Sequence, residues 1–235
     1  RYALLIVVLG GIFLLLIHIA SIDQFMQLDL PDEVWLGSLA TNYALRGEYY
    51  SSYLAGAFGN PDPFLPRYYL VTGLWLRLLG DTSVWALRSF SLLIAGAGVV
   101  VTAWVLLRCV NRTWLQTAAG VLVMIALSPF VRTSHNVRMD AGLSLYGALL
   151  LWGVIGFRQT GQTRWIVLLG SVLLFGMELV PPLALVLNVV IGCMLIGFVL
   201  ARRASWRHVA IYVVVCAGAG LAYAALHFLP DIPRN

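Results

Sequence analysis

The sequence predicts an all-α, polytopic membrane protein of about seven transmembrane helices, with a long outer loop carrying two interfacial helices after the first span. Of the 235 residues, 61% are hydrophobic and only 11% are charged, whereas roughly a quarter are charged in soluble domains. Several apolar runs approach the roughly 20 residues that a helix needs to cross a bilayer. This composition excludes a water-soluble globule, and it excludes a nucleic-acid-binding domain because no solvated basic face is present.

Seven apolar runs are predicted to span the membrane, at positions 2–20, 85–107, 114–131, 141–157, 165–180, 183–200 and 209–229. The first run is too long for a signal peptide and has no small-residue cleavage site, so we interpret it as a retained anchor. Residues 1–235 are expected to form a single module. Because the chain begins at Arg1 and ends soon after the last run, we expect it to be part of a longer protein.

The distribution of charge predicts the orientation of the spans. Short loops rich in basic residues stay on the cytoplasmic side. With the N-terminus inside, the inner arginines are Arg1, Arg108, Arg112, Arg158, Arg164, Arg202, Arg203 and Arg207. All 10 acidic residues then fall at or beyond the outer face, and this segregation predicts a functional site that faces outward.

The outer loop, residues 21–84, is predicted to contain interfacial helices at about 32–46 and 66–79. Asp32 and Glu33 lie in the first turn of the first helix, where the helix dipole favours ionised carboxylates and therefore a general base. Asp32 as a plain helix cap is the alternative. Arg67 begins the second helix, where a cation is disfavoured unless an anion is nearby; a snorkelling surface arginine is the alternative.

A charged joint connects the third and fourth spans and contains Arg132, His135, Arg138 and Asp140. Ionisable groups this close to the hydrocarbon are costly unless they are paired or used. The planar guanidinium of arginine suits phosphate, whereas a lone histidine is weak evidence for a role, and Asp140 is also a plausible helix cap.

Glu178 lies at the outer end of a later span, just before Pro181 and Pro182, which end that helix. A glutamate at this depth is a candidate functional residue, and a solvated interfacial carboxylate is the alternative. The three cysteines, Cys109, Cys193 and Cys216, have no CxxC spacing. A disulfide framework and a zinc site are therefore not expected.

The order of these features resembles the membrane glycosyltransferases of the C-type fold, in the branch of the dolichyl-phosphate-mannose protein mannosyltransferases and the lipid A aminoarabinose transferases. The resemblance covers nearly the whole chain. It depends on the acidic pair in "PDE" and on the segments "PRYYLVTGLWLRLLGDTSVWALRSFS", "ALSPFVRTSHNVRMDAGLSL" and "GMELVPPLAL".

The resemblance implies an enzyme that moves a sugar from a polyprenyl-phosphate donor to a lipid, glycan or protein acceptor. Asp32 matches the general base of the family and Glu33 matches its neighbour. Arg138 and Asp140 match the charged joint near the site, and Arg67 and Arg88 are weaker candidates for the phosphate. His135 and Glu178 complete the candidate substrate-binding residues. No metal or other cofactor is expected, and the implied location is the plasma (inner) membrane of a prokaryote, with the site on the outer face.

Two other functions are compatible with the same pattern. A transporter of lipids or small anions would also use several spans with outward charges, but mid-span charges and paired broken helices are missing from the sequence. A non-catalytic membrane subunit of the same fold would be indicated by a degenerate acidic pair, and Asp32 and Glu33 are both present.

Overall fold

A computed structural model describes residues 12–13, 16–20, 30–48, 67–110, 112–127 and 139–228. Of these residues 89% are helical and none lies in a strand, so the all-α prediction is confirmed over the described part of the chain. The chain divides into two compact units. The first comprises Arg1–Pro61 and Pro66–Ala148, and the second comprises Asp62–Leu65 and Leu149–Asn235.

Besides the helical residues 12–13 and 16–20, the described part of the first unit contains four α-helices, a 3-10 turn and the start of a fifth α-helix that continues into the second unit. Helices cover both segments predicted to be interfacial. The bounds are α1 Leu30–Arg46, α2 Tyr68–Leu79, α3 Val84–Trp104 with a π-helical extension Val105–Cys109, α4 Trp114–Ala126, a 3-10 turn Met139–Gly142, and α5 Leu143–Thr160.

Local sequence explains where α2 ends and where α3 and α4 begin. Gly80 takes the left-handed conformation, with φ of 65°, and donates its backbone N–H to the carbonyl of Arg77, a common way of ending a helix. Ser83 caps α3 by accepting a hydrogen bond from the backbone N–H of Ala86. Thr113 and Gln116 form a reciprocal capping box at the start of α4.

Helices α1 and α2 cross closely at Gly73. A Cβ atom there would lie 2.8 Å from the carbonyl oxygen of Ala40, so only glycine fits without a shift. One turn further along α2, the Arg77 guanidinium donates to the carbonyls of Tyr43 at 2.7 Å and Ala44 at 3.1 Å. The contact of Arg77 lies further towards the C-terminus of both helices than the contact of Gly73. Helices α1 and α2 therefore run in the same direction, and their N-termini lie at the same end of the pair.

Helix α3 also packs closely against the start of α5. A Cβ on Gly98 would lie 2.5 Å from the backbone nitrogen of Leu145, and the Ser144 hydroxyl points to the carbonyl of Ala95 at 3.4 Å. The 3-10 turn Met139–Gly142 precedes these residues and also contacts α3. The chain therefore enters α5 beside the first half of α3.

The described residues of the second unit form the rest of α5 and three further helices, α6 Thr163–Leu179, α7 Pro181–Leu200 and α8 Trp206–Phe228. Helix α6 ends before Pro181, as the sequence predicts. Gly170 of α6 lies against Val215 of α8, and the Tyr212 hydroxyl donates to the backbone carbonyl of Asn188, 2.9 Å away, with the amide oxygen of Asn188 2.8 Å from it.

Among the residues that the structure describes, four helical segments are long and apolar enough to cross a membrane, namely Val84–Cys109, Asp140–Thr160, Pro181–Leu200 and Trp206–Leu226. Large apolar side chains on them are exposed, including Val189 at 65% and Val214 at 70%, as expected for surfaces that face lipid. The chain is therefore an integral membrane protein. Helices α4 and α6 have 13 and 17 residues, and the count of seven spans stays a prediction.

Candidate functional site

The predicted site residues are distributed over both units. Asp32 and Glu33 lie in the first turn of α1, although their side chains are outside the described part of the structure, and Arg132, His135 and Arg138 lie outside the described residues altogether. The remaining candidates are described: Arg67 at the N-cap of α2, Arg88 in α3, Asp140 in the 3-10 turn and Glu178 near the end of α6.

Arg88 is the most unusual of these residues because its charged side chain is almost completely buried. Only 2% of it is exposed, in the second turn of a helix long enough to cross the membrane. Ser91, one turn further along α3, is exposed by 1%. Residues three apart share a helix face, so Arg88 and Ser91 form one buried polar strip on a mostly apolar helix.

Tyr68 of α2 meets this strip. Its hydroxyl and that of Ser91 are hydrogen-bonded at 3.0 Å, and its ring packs against Tyr69 and Phe90. Burial raises the pKa of the Tyr68 hydroxyl well above its usual range, the bond to Ser91 opposes the rise, and the negative charge of Asp140 adds to it. Tyr68 is therefore a neutral phenol at physiological pH and Asp140 lies within electrostatic range of it.

The packing of α5 explains how Asp140 reaches this position. The Ser144 hydroxyl of α5 contacts the backbone carbonyl of Ala95 in α3. Four residues earlier along each chain segment are Asp140 and Ser91. Since the 3-10 turn containing Asp140 also contacts α3, Asp140 lies level with Ser91. We refer to Tyr68, Arg88, Ser91 and Asp140 as the polar cluster.

The first turns of α1 and α2 lie at the same end as the polar cluster. A Cβ on Gly37 would lie 3.7 Å from a methyl group of Leu87, the neighbour of Arg88, and Asp32 and Glu33 precede Gly37 by about one helical turn. Arg67 directly precedes Tyr68 at the N-cap of α2. Arg67, Arg88 and Asp140 thus lie at the same end of the first unit as the helical turn that carries the acidic pair.

This arrangement favours the binding of an anion. Two guanidinium groups and the N-termini of two helices all favour negative charge. A guanidinium withdrawn from water interacts more strongly with an anion than one at the surface. Within the described residues no group of three or more His, Cys, Asp and Glu residues is placed to hold a metal ion, and the absence of a metal requirement stays a prediction.

Glu178 belongs to the second unit, where it lies half-buried in the last turn of α6. Its carboxylate is within electrostatic range of Tyr223 in α8. The packing of α6 against α8 agrees with this proximity. Gly170 of α6 lies against Val215 of α8, and Glu178 follows Gly170 by eight residues, as Tyr223 follows Val215. The assignment of Glu178 to the substrate site stays a prediction.

Sequence reasoning did not single out Tyr68 or Ser91. Ser91 follows Arg88 by three residues within an apolar run, and two polar residues at this spacing in a span are a detectable signal. Tyr68 gave a weaker signal because a tyrosine at the start of an apolar helix is usually an interfacial residue.

The candidate site therefore consists of the polar cluster, Arg67 and the first turn of α1. Its interpretation depends on the residues themselves and on their geometry. Comparison of the chain with protein-family models, with curated protein sequences and with solved structures finds no match in any of the three.

Proposed function

We propose that this protein is a membrane glycosyltransferase that moves a sugar from a polyprenyl-phosphate donor to an acceptor on the extracytoplasmic side, with Asp32 as the general base. The observation that carries the proposal is the buried guanidinium of Arg88, which shares the polar cluster with Tyr68, Ser91 and Asp140. This cluster lies near the helical turn that carries Asp32 and Glu33.

The position of Arg88 suits the phosphate of a lipid-linked donor. A polyprenyl chain remains in the hydrocarbon, so its phosphate lies where a spanning helix meets the headgroup region. Arg88 is in the second turn of such a helix, and its planar donors match phosphate oxygens in pairs. Arg67 and the N-terminus of α2 add positive potential at the same place. Arg138 and His135, in the joint just before Asp140, are further candidates for the same anion.

The reaction needs few groups because the donor is already activated. The bond between the anomeric carbon and the phosphate oxygen breaks, and the phosphate leaves with the electron pair. The acceptor hydroxyl oxygen forms the new bond to the anomeric carbon and gives its proton to Asp32. Arginine stabilises the negative charge that develops on the leaving phosphate. We assign to Glu33, the neighbour of Asp32, the role of orienting the acceptor.

Transfer of a labelled sugar from a short-chain polyprenyl-phosphate donor, in liposomes with a lysate as the source of acceptor, tests the role of Asp32. Asp32→Asn should lower turnover by roughly 100-fold or more, the usual contribution of a general base, and leave donor binding unchanged. Asp81→Asn is the matched control because Asp81 is an exposed acid that accepts hydrogen bonds from Ser83 at the start of α3, and it should keep full turnover. Donor binding without turnover in the wild type would contradict the proposal and favour a transporter or a non-catalytic subunit.

Donor affinity measured directly tests the role of Arg88. Arg88→Gln should weaken donor binding by about tenfold or more, since it removes a charged partner of phosphate. Arg46→Gln, which removes an exposed cation at the far end of α1, should bind donor normally. Thermal unfolding of each variant shows whether it is folded, and unchanged donor affinity in a folded Arg88→Gln protein would contradict the assignment.

A further inference from the structure

The arginines of the second unit are concentrated at one end of it. All five that the structure describes are exposed and lie in or beside two of the three turns that join its helices, the α5–α6 turn and the α7–α8 turn, at Arg158, Arg164, Arg202, Arg203 and Arg207. Glu178, the acid that the structure describes in this unit, lies at the opposite end of α6. The charge of this end is therefore strongly positive and lacks a described acidic neighbour.

Aromatic packing holds the two turns side by side. The Phe157 ring, at the end of α5, lies 6.2 Å from the ring of Phe198 in α7 and 5.2 Å from that of His208 in α8. His208 also binds Ser205 through Nδ1, which closes the turn between α7 and α8. The five arginines consequently form one surface, which we call the arginine patch.

Arg202 has a backbone conformation that arginine seldom adopts. Its φ is 57°, in the left-handed region that usually holds glycine after a helix. Hydrogen bonds from the backbone N–H groups of Arg203 and Ala204 to the carbonyl of Phe198 maintain this turn. The patch thus has a cation at a position where glycine would fit with less strain.

The arginine patch lies where the spanning segments leave the hydrocarbon. It follows the end of Pro181–Leu200 and overlaps the start of Trp206–Leu226, both long and apolar enough to cross the membrane. Trp206 is exposed by 61%, and Arg164 stacks over the ring of Trp165 at 5.1 Å. Tryptophans are typical of the headgroup level of a bilayer, where phosphates are the complementary anions.

We propose that the arginine patch is a binding site for anionic phospholipids, whose headgroup phosphates lie between the α5–α6 turn and the α7–α8 turn. Guanidinium groups form paired hydrogen bonds with phosphate oxygens. Bound phosphate also relieves the mutual repulsion of five neighbouring cations. This inference is independent of the proposed glycosyltransferase activity, because the arginine patch belongs to the second unit and the candidate site belongs to the first.

Native mass spectrometry of protein released from bilayers tests the inference, using phosphatidylcholine alone and a mixture with phosphatidylglycerol. The wild type should retain phosphatidylglycerol in preference to phosphatidylcholine. The triple variant Arg202→Gln, Arg203→Gln, Arg207→Gln should retain about tenfold less phosphatidylglycerol. Equal retention of the two lipids by the wild type, or full retention by the triple variant, would overturn the proposal.

Two matched variants separate a local site from net charge and from damage to the turn. The double variant Arg108→Gln, Arg112→Gln removes two exposed arginines of the first unit and should retain phosphatidylglycerol to within about twofold of the wild type. The triple lysine variant at 202, 203 and 207 keeps the charge and should do the same. A loss in either as large as in the triple glutamine variant would refute the site. If the triple variant does not fold, Arg207→Gln alone should give a graded loss of about twofold to threefold.

Discussion

Arg77 connects the C-terminus of α1 to α2 through three separate contacts. Its Nη2 and Nε donate to the carbonyls of Tyr43 and Ala44, and the guanidinium lies 4.6 Å above the Tyr43 ring. Carbonyls at the end of a helix lack partners within the helix, and a cation is favoured there by the dipole. The exposed Arg77 side chain therefore provides hydrogen-bond partners for carbonyls at the end of α1 and holds α2 against that end.

Replacing Arg77 should weaken the α1–α2 pair. We expect Arg77→Met to lower the free energy of unfolding by about 1–2 kcal/mol, because two charge-assisted hydrogen bonds are lost. The measurement is the thermal unfolding midpoint in detergent. Arg46→Met is the control, since it removes a cation from the same helix end. An equal loss in both variants would mean that charge near the helix end matters and that the paired hydrogen bonds do not.

At the scale of the element, two glycines of α3 have opposite surroundings. A Cβ on Gly98 would meet the backbone of Leu145 and the hydroxyl of Ser144 at 2.5 Å, whereas a Cβ on Gly96 would meet nothing within 4 Å. Gly98 thus permits the close approach of α3 and α5 that places Asp140 beside Ser91. Gly96 has no such role in the described structure.

Alanine at these two positions should have opposite effects. Gly98→Ala should destabilise the protein by about 1–3 kcal/mol, the usual cost of overpacking, and should also displace Asp140 from the polar cluster. Gly96→Ala should be neutral or stabilising by up to about 1 kcal/mol, because alanine favours a helix. Unfolding midpoints of both variants provide the test, and a stable Gly98→Ala protein would show that α3 and α5 are not in contact there.

At the scale of the whole molecule, the segregation of charge predicts the orientation of the chain. The outer loop at 21–84 contains most of the acids, and the predicted inner loops contain arginines and no acid. The basic loops determine orientation. This orientation predicts that the proposed transfer reaction and the proposed lipid site are on opposite faces of the membrane.

Cysteine labelling in intact cells tests this orientation. In a variant with Cys109, Cys193 and Cys216 replaced by alanine, an impermeant maleimide should label Glu48→Cys directly. Ala201→Cys should react only after the membrane is permeabilised. Both native side chains are exposed, so accessibility within the protein is not limiting. Labelling of Ala201→Cys in intact cells would reverse the predicted orientation and place the acidic loop inside.

The candidate site was only partly predictable from sequence. Arg88 was named only because the family resemblance implies it, Arg67 because a cation is disfavoured at a helix N-terminus, and Asp140 because charges near hydrocarbon are costly. Their convergence was not predictable, since it depends on the crossing of α3 with α5 at Gly98 and on the shared direction of α1 and α2. Glu178 was selected by the same rule, yet it lies in the second unit beside Tyr223.

The sequence by itself determined the helical class, the membrane location and the bounds of most helices, because these follow from local hydropathy, helix caps and helix-breaking prolines. The bounds of α2 and the end of α6 before Pro181 are two examples of bounds that local sequence determines. Tertiary structure alone decided that Arg88 is buried, that Tyr68 bonds Ser91 and that Phe157 joins two arginine-rich turns. Burial and pairing are properties of helix contacts between residues distant in the chain, and no local pattern specifies which helix faces meet.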